Sequence, residues 1–339
     1  MLELINLSTW PEQLEYFRSR QGGLAGFLRE FDLDGVELIQ AGPIEIPSYL
    51  KPYIRGWHLP FWPDWLDFYC GNTDSLAFSF PDEECLSYYY GSTDPRELAR
   101  IWARELSQAE ALGAEYAVIH VANCTNRESF SYSFAAGDRE VAEGFVLLLN
   151  EALANLKGSS FRGRLKILLE NLWWPGMTLL DPQIVRYLLE NISYPRLGLV
   201  LDSSHLMNTN PSLTSQREAA AYILKVIDGL GPLASRIEAV HLNSSLSGSY
   251  VMDTKRRDEK GREPFSPPEN LRDFQNVFAK VSRHVSRIDP HLPFFDPSIR
   301  DILKKIRPAY LVHELIQAEP GASLESLGRQ TALFRPRKK

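Results

Sequence analysis

Residues 165–171 read LKILLEN and residues 197–205 read LGLVLDSSH, so two short apolar runs each end in an acidic residue. Apolar runs of this length, separated by a helix-length segment, are typical of buried parallel strands joined by a crossover helix. Glu170 and Asp202 would then lie at the carboxyl ends of two core strands. Because an unpaired buried carboxylate is costly, we expect each one to pair with a cation, bind a metal or face a ligand cleft.

The same arrangement recurs along the chain and predicts eight strands that alternate with helices. The predicted strands are residues 2–7, 34–39, 54–59, 115–121, 165–170, 197–202, 237–242 and 310–315. Alternating units of this kind indicate an α/β fold, a parallel (β/α)8 barrel whose active groups collect at the carboxyl ends of the strands.

We expect one barrel domain over residues 1–339, with long loops after strands 3 and 7. The first is an aromatic-rich loop insertion at residues 61–92, and the second is a polar insertion at residues 243–288. Within the second, the charged run at residues 255–260 is predicted to be a solvated loop. Residues 11–31 are predicted to be helical, because Pro near the first turn follows Ser and Thr.

Composition places the chain among globular proteins, with 44% hydrophobic and 24% charged residues, so a sizeable core is expected. The net charge of -6 gives no basic footprint, which makes nucleic acid a less favoured partner than a small molecule. Cys70, Cys85 and Cys124 show no CxxC spacing and favour free thiols in a reducing compartment. Without a leader segment or an apolar run of roughly 18 residues, we predict a cytoplasmic protein with no membrane partner. The sequence does not indicate an oligomeric state.

Nine imidazoles and carboxylates fall at predicted strand ends or just after them. They are His58, His120, Glu170, Asp202, His205, His241, Asp289, His291 and Glu314. A lone histidine at a strand end is more often a hydrogen-bonded rim residue than a ligand, but nine such groups on one rim would repel each other without cations. We therefore predict a metal site. Imidazole and carboxylate ligands without cysteine suit zinc, manganese or iron.

Two further features have alternative interpretations. Four tryptophans near the barrel mouth, which would either wall a substrate pocket or pack in the ordinary way, are Trp62, Trp65, Trp173 and Trp174. Glu37 ends the second predicted strand and would either pair with a nearby arginine or touch substrate.

These residues resemble the xylose isomerase-like TIM barrels, a superfamily that includes sugar isomerases and epimerases and the endonuclease IV enzymes (AP endonuclease family 2). The resemblance extends from DGVEL at residues 34–38 to Glu314. The superfamily's shared ligand core maps onto Glu170, Asp202, His241 and Glu314, and DSSH at residues 202–205 is similar to the D-x-x-H of both branches. HLPF at 58–61, VIHV at 118–121 and DPH at 289–291 resemble the endonuclease IV branch.

The resemblance implies two or three metal ions, normally zinc, with manganese or another divalent metal as the alternative. His58 and His120 would hold the first ion, and Glu170 would bridge to the second. Asp202, His241 and Glu314 would complete the second, and His205, Asp289 and His291 would hold the third. Such a cluster implies phosphodiester hydrolysis.

Two segments depart from the endonuclease IV pattern. Glu170 is followed by NLWWPG instead of a glycine-rich turn, and residues 289–291 are followed by LPF instead of a glycine motif. These segments lie where DNA-contacting loops would be, so abasic DNA is the less favoured substrate. A bulky small molecule that contains a phosphodiester is preferred. The superfamily includes cobamide-remodelling phosphodiesterases, which cut the nucleotide loop of corrinoid cofactors, and a cobamide is therefore the preferred specific substrate.

Two alternatives remain at this point. A sugar or sugar-phosphate isomerase or epimerase would use Glu170 and Glu314 as the acid/base pair around one divalent ion. In that case His58, His120, Asp289 and His291 would contact substrate or be structural. A non-catalytic binding protein is disfavoured, because no residue of the core ligand set is missing.

Overall fold

The computed structural model describes residues 1–42, 45–261, 266–315 and 320–335. Eight parallel strands form a closed barrel in chain order, so the predicted (β/α)8 fold is confirmed. The strands are β1 (Leu2–Ser8), β2 (Gly35–Ile39), β3 (Ile54–His58), β4 (Tyr116–His120), β5 (Lys166–Glu170), β6 (Leu197–Asp202), β7 (Ile237–Leu242) and β8 (Tyr310–His313).

Helices surround the barrel and connect its strands. They are α1 (Pro11–Ser19), α2 (Gly23–Phe31), α3 (Leu66–Cys70), α4 (Thr73–Ser79), α5 (Glu83–Tyr90), α6 (Glu97–Ala111), α7 (Glu128–Ser131), α8 (Asp138–Asn155), α9 (Pro182–Asn191), α10 (Ser203–Asn208), α11 (Gln216–Leu230), α12 (Gly248–Glu259), α13 (Leu271–Ile288), α14 (Ile299–Ile306) and α15 (Pro320–Thr331). Two short 3₁₀ helices lie at Lys51–Tyr53 and Gly231–Arg236.

The prediction of one helix over residues 11–31 was wrong, because the segment forms two helices. Arg20 has extended backbone angles and ends α1, whereas Gly22, with φ of 77°, precedes α2. A left-handed conformation interrupts the helical hydrogen-bond ladder and is accessible to glycine at little steric cost.

The barrel interior is filled by side chains from alternate strand positions. They form a cluster separate from the larger core beneath the helices: Leu4, Tyr116, Val118, Leu168, Val200, Ala239, Tyr310 and Val312. Because strand side chains alternate with a period of two, the next inward position toward the carboxyl end is two residues further on. On β4 to β8 and their ends these positions hold His120, Glu170, Asp202, His241 and Glu314. The fold therefore changes from an apolar to a polar interior at one end of the barrel.

The two insertions contain helices instead of irregular loops. The β3 insertion contains α3, α4 and α5, and the β7 insertion contains α12 and α13. Residues 255–259 lie within α12, so the prediction of a solvated loop there was wrong. Phe274 of α13 lies 5.2 Å from the Phe80 ring and 5.9 Å from the Tyr89 ring, between ring centroids. The two insertions thus support each other through aromatic packing.

Among the described residues, no helix combines the length and apolar character that crossing a membrane requires.

Candidate metal centre

Three groups of potential metal ligands converge at the carboxyl end of the barrel. Within each group, one ligand atom per residue lies within 4.8 Å of the others. The groups are His58, His120 and Glu170; then Glu170, Asp202, His241 and Glu314; and finally Asp202, His205 and His291. The ninth predicted residue, Asp289, places its Oδ2 atom 3.0 Å from Nε2 of His205 and 3.0 Å from Nε2 of His291. The structure therefore brings all nine predicted residues together.

Glu170 occupies the centre of this arrangement and is fully buried. Its Oε2 atom lies 3.2 Å from Nε2 of both His58 and His120, and its Oε1 atom lies 3.1 Å from Nδ1 of His241. Burial alone would raise the pKa of Glu170, but the charges of His120 and His241 hold it well below the usual value. Each oxygen of this carboxylate thus faces a different ligand group.

Asp202 is shared between the second and third groups. Burial, only partly offset by His205, raises its pKa to about 7, and the charges of Glu314 and Glu170 add to the shift. In the opposite sense, burial would lower the pKa of His205, but Asp202 and Asp289 raise it to about 10. Carboxylates this close are tolerated only with positive charge among them.

Three histidines are each fixed through one ring nitrogen, so that the other faces the carboxylates. Nδ1 of His58 lies 2.9 Å from the Leu59 carbonyl oxygen, and Nδ1 of His205 lies 2.9 Å from that of Asn171. Nε2 of His241 lies 3.2 Å from Oε2 of Glu37. Histidines that ligate metals commonly donate their second N–H in this way.

Other ring nitrogens at the site have no hydrogen-bond partner within the described ranges. They are Nδ1 of His120 and Nδ1 of His291. Unpaired buried polar atoms are uncommon in native structures and indicate an ion or ligand that completes them. Together with the imidazole and carboxylate donors and no thiolate, they fit divalent metals such as zinc or manganese.

A second set of polar residues, which the sequence analysis missed, holds the ligands in place. The Asn171 side chain accepts from the Asp202 amide at 2.8 Å and donates to its carbonyl at 3.1 Å. Nδ2 of Asn243 donates to Oδ2 of Asp202 at 2.9 Å, and Oγ of Ser204 donates to Oδ1 of Asp289 at 2.5 Å. Asn171 and Asn243 directly follow strand ends and Ser204 directly precedes His205, and these positions are the signal that could have identified them.

Glu37 was expected to pair with an arginine or to touch substrate, and the structure shows a different environment. Its side chain is fully buried, and its Oε2 atom accepts the Tyr116 hydroxyl at 2.8 Å beside His241. Within the described part of the chain it pairs with no arginine, and its Oε1 atom has no hydrogen-bond partner.

The four predicted substrate-binding tryptophans divide into two pairs. The Trp173 ring lies 5.3 Å from the His205 ring and 4.8 Å from the Trp174 ring, so Trp173 adjoins the ligand groups, whereas Trp174 is buried against it at 3% exposure. Trp65, by contrast, is 2% exposed and donates its indole N–H to the Ala122 carbonyl at 2.7 Å. Trp62 donates to the Tyr89 carbonyl at 3.0 Å and so joins the start of the insertion to its last helix, α5. The prediction that Trp65 walls a pocket was wrong, because the residue is packed in the core.

A cleft of about 960 Å³ is lined by residues of the β3 insertion and of the segment after β4. Phe134 lies in its wall and also packs against the cluster that contains Trp173 and Trp174. Its charged lining residues are Asp67, Asp74, Arg127, Glu128, Glu140 and Asp258. Five of these six are acidic, so the cleft carries a negative charge.

Residues 67–296 match the family model described as Xylose isomerase-like TIM barrel. A sugar phosphate isomerase/epimerase from Parabacteroides distasonis has 10% identity and a TM-score of 0.50, with 99% of this chain and 97% of that chain covered. L-ribulose 3-epimerase has 13% identity and a TM-score of 0.50, with 99% and 88% covered. Endonuclease IV from Thermus thermophilus has 17% identity and a TM-score of 0.47, with 98% and 99% covered. No protein of curated function matches the chain by sequence.

Proposed function

The chain belongs to the xylose isomerase-like TIM barrel family, and from this premise we propose that it is a metal-dependent hydrolase that cleaves a phosphodiester bond. The observation that carries the proposal is the sharing of carboxylates: Glu170 belongs to the first and second ligand groups, and Asp202 to the second and third. Shared carboxylates are what a site with adjacent metals requires, because one carboxylate can place an oxygen on each.

The ligands would divide among three ions, with Asp202 close to both the second and the third and with Asp289 added to the third group. His58 and His120 would hold the first ion, Asp202, His241 and Glu314 the second, and His205, Asp289 and His291 the third, with Glu170 between the first two. When bound, divalent ions supply a Lewis acid that lowers the pKa of water toward about 7 and neutralises charge on phosphodiester oxygens. Zinc is the preferred metal and manganese the alternative.

The protein's own contribution is to keep this set of ligands in a fixed geometry. Asn171 and Asn243 clamp the backbone and side chain of Asp202, and Ser204 fixes Asp289. Ligands held in this way need little reorganisation during the reaction, which is the main electrostatic advantage of a preorganised site.

The surroundings favour a bulky small molecule over DNA. Trp173 is partly exposed and lies next to His205, so its ring offers a face on which a flat group such as a nucleotide base can stack. The acidic cleft shares Phe134 with the cluster around Trp174 but none of the nine ligand residues lines it; its negative charge would repel a polyanion that approached from that side. A cobamide nucleotide loop combines a phosphodiester with a large body and is the preferred substrate, and abasic DNA is the less favoured one.

The rival function is that of a sugar or sugar-phosphate isomerase or epimerase. One observation favours it: the second ligand group is complete by itself, and Glu170 and Glu314 both contact Nδ1 of His241, at 3.1 and 3.0 Å. One divalent ion and this glutamate pair would suffice for proton transfer. In an isomerase, His58, His120 and His291 would contact substrate or be structural instead of binding metal.

Metal content, measured by elemental mass spectrometry on untagged protein purified without chelators, separates the two functions. We expect two or three zinc ions per chain, together with hydrolysis of a cobamide or of a synthetic phosphodiester. A single manganese, cobalt or magnesium ion, with conversion of a sugar and no hydrolysis, would instead establish the isomerase.

The variant His291→Ala provides the sharper test. It should remove about one equivalent of metal and lower hydrolysis at least about 100-fold, since even the loss of a residue that only supports a ligand costs 10–100-fold. His284→Ala is the matched control, because His284 is also buried but contacts Tyr250 and Ser129 and lies outside the ligand groups. If the His291→Ala variant kept the metal content and the hydrolysis rate of the parent protein, the assignment of a third ion would be contradicted.

A further inference from the structure

We propose that Glu37 is a positioning residue that fixes the ring of His241 and directs its Nδ1 atom into the central ligand group. The inference rests on the metal centre of the proposed function, but it concerns a residue outside that centre. Glu37 lies on β2, which contributes no residue to the three ligand groups.

The two nitrogens of His241 face different environments. Nε2 lies 3.2 Å from Oε2 of Glu37, whereas Nδ1 lies 3.1 Å from Oε1 of Glu170 and 3.0 Å from Oε2 of Glu314. Both His241 and Glu37 are fully buried, so water does not compete for these contacts. The ring is therefore held between one carboxylate on the β2 side and two on the ligand side.

This geometry selects the nitrogen that is available to a metal. When Nε2–H donates to Glu37, the lone pair of a neutral imidazole is on Nδ1, where it faces carboxylate oxygens. Lone pairs that face each other repel, and a cation between them removes the repulsion. A carboxylate on the far nitrogen also makes the imidazole a stronger ligand.

Glu37 is itself held by a residue two strands away. The backbone register aligns Glu37 with Gly56 on β3, and Gly56 with Tyr116 on β4. The Tyr116 ring reaches over Gly56, and a Cβ atom at Gly56 would lie 2.4 Å from its Cζ atom. The Tyr116 hydroxyl then donates to Oε2 of Glu37 at 2.8 Å, the same oxygen that meets His241. The missing side chain of Gly56 is what permits this hydrogen bond across β3.

Zinc binding to metal-free protein, titrated against a competing chelator, tests the role of Glu37. In Glu37→Gln the amide keeps the size of the side chain but loses its charge. We expect one zinc-binding step to weaken 10–100-fold while the other steps stay unchanged. Tyr116→Phe leaves Glu37 beside His241 and should weaken the same step by less. Glu105→Gln is the control, since Glu105 is a half-buried carboxylate that accepts from Trp57 at 2.8 Å outside the ligand groups.

A change in only one zinc-binding step distinguishes a positioning role of Glu37 from a general structural role. If Glu37 has only a structural role, Glu37→Gln would lower the melting temperature of the metal-free protein but leave all zinc affinities within about threefold of the parent. That result would overturn the proposal. The absorption spectrum of the cobalt-loaded protein gives a second readout, because a rotated His241 changes one cobalt environment. If the parent chain binds no zinc, the proposed function itself fails; if the parent binds zinc and Glu37→Gln binds it equally well, only this inference fails.

Discussion

Glu170 and Asp64 are both buried carboxylates, yet their pKa values move in opposite directions. Burial would raise both, but His120 and His241 lie beside Glu170 and hold its pKa well below the usual value. Within the described ranges no histidine, lysine or arginine forms an ion pair with Asp64, and burial together with the charge of Asp67 raises its pKa to about 7. The two residues therefore differ in their surroundings. Histidines lie beside the carboxylate that belongs to the ligand groups, and burial dominates at the one that does not.

The variant Asp64→Asn should therefore stabilise the protein at high pH and not at low pH. The pKa of Asp64 is raised from 3.8 to about 7 on folding, so the charged form is disfavoured in the folded state. Below pH 4 the carboxyl group is protonated in both states and carries no penalty. The penalty builds between pH 4 and 7 and is complete above pH 7, at an upper value on the order of 4 kcal/mol.

Urea unfolding at pH 5 and pH 8 measures this difference. The gain from Asp64→Asn should be larger at pH 8, and Asp253→Asn on the exposed side of α12 serves as the control without a pH-dependent gain. Equal effects of Asp64→Asn at both pH values would show that Asp64 does not titrate in this range.

At the scale of elements, the β3 insertion packs closely against α8. A Cβ atom at Gly144 of α8 would lie 2.5 Å from Cδ1 of Leu66 and 3.3 Å from Cη2 of Trp65. Both neighbours are buried, so they have little room to move. Glycine in the middle of this helix is therefore required by packing, although it lowers helix propensity.

We expect Gly144→Ala to lower the free energy of unfolding by roughly 1–2 kcal/mol, because overpacking outweighs the gain in helix propensity. Gly229→Ala is the matched control in α11, where a Cβ atom would meet nothing within 4 Å. It should raise the free energy of unfolding by up to about 1 kcal/mol. Urea denaturation of both variants compares them directly, and a Gly144→Ala variant as stable as Gly229→Ala would contradict the packing argument.

The same elements show where sequence patterns succeed. The apolar strands end within two residues of their predicted limits, because a run such as residues 197–202 is buried on both faces and is cut by polar residues. Most helices of the insertions are short or polar and were predicted as loops, whereas α13 has 18 residues with apolar side chains at helical spacing, a pattern that was overlooked. Their stability comes from contacts between distant segments, such as Phe80 with Phe274, which no local pattern reveals.

At the scale of the molecule, the sequence predicts those site residues that lie at the ends of apolar strands. Glu170 and Asp202 close apolar runs, and parallel strands carry such residues to one rim. Glu37 closes a run in the same way, but its contacts with Tyr116 and His241 span 79 and 204 residues and depend on the register of the closed barrel. Asp289 and His291 follow a long insertion, so their assignment depended on the resemblance of residues 289–291 to a known motif.

Removal of metal should destabilise the folded chain without unfolding it. The large core beneath the helices contains none of the nine ligand residues, so hydrophobic burial, the main stabilising contribution, persists in metal-free protein. Bound metal adds stability by mass action, about 4 kcal/mol at 1,000 times the dissociation constant. For a chain of this size that corresponds to a rise in melting temperature of roughly 6 °C. Circular dichroism before and after chelation, and after zinc is returned, measures the change. An unaltered melting temperature would mean that no metal is stably bound, and complete loss of helical signal would mean that the barrel folds only with its metals.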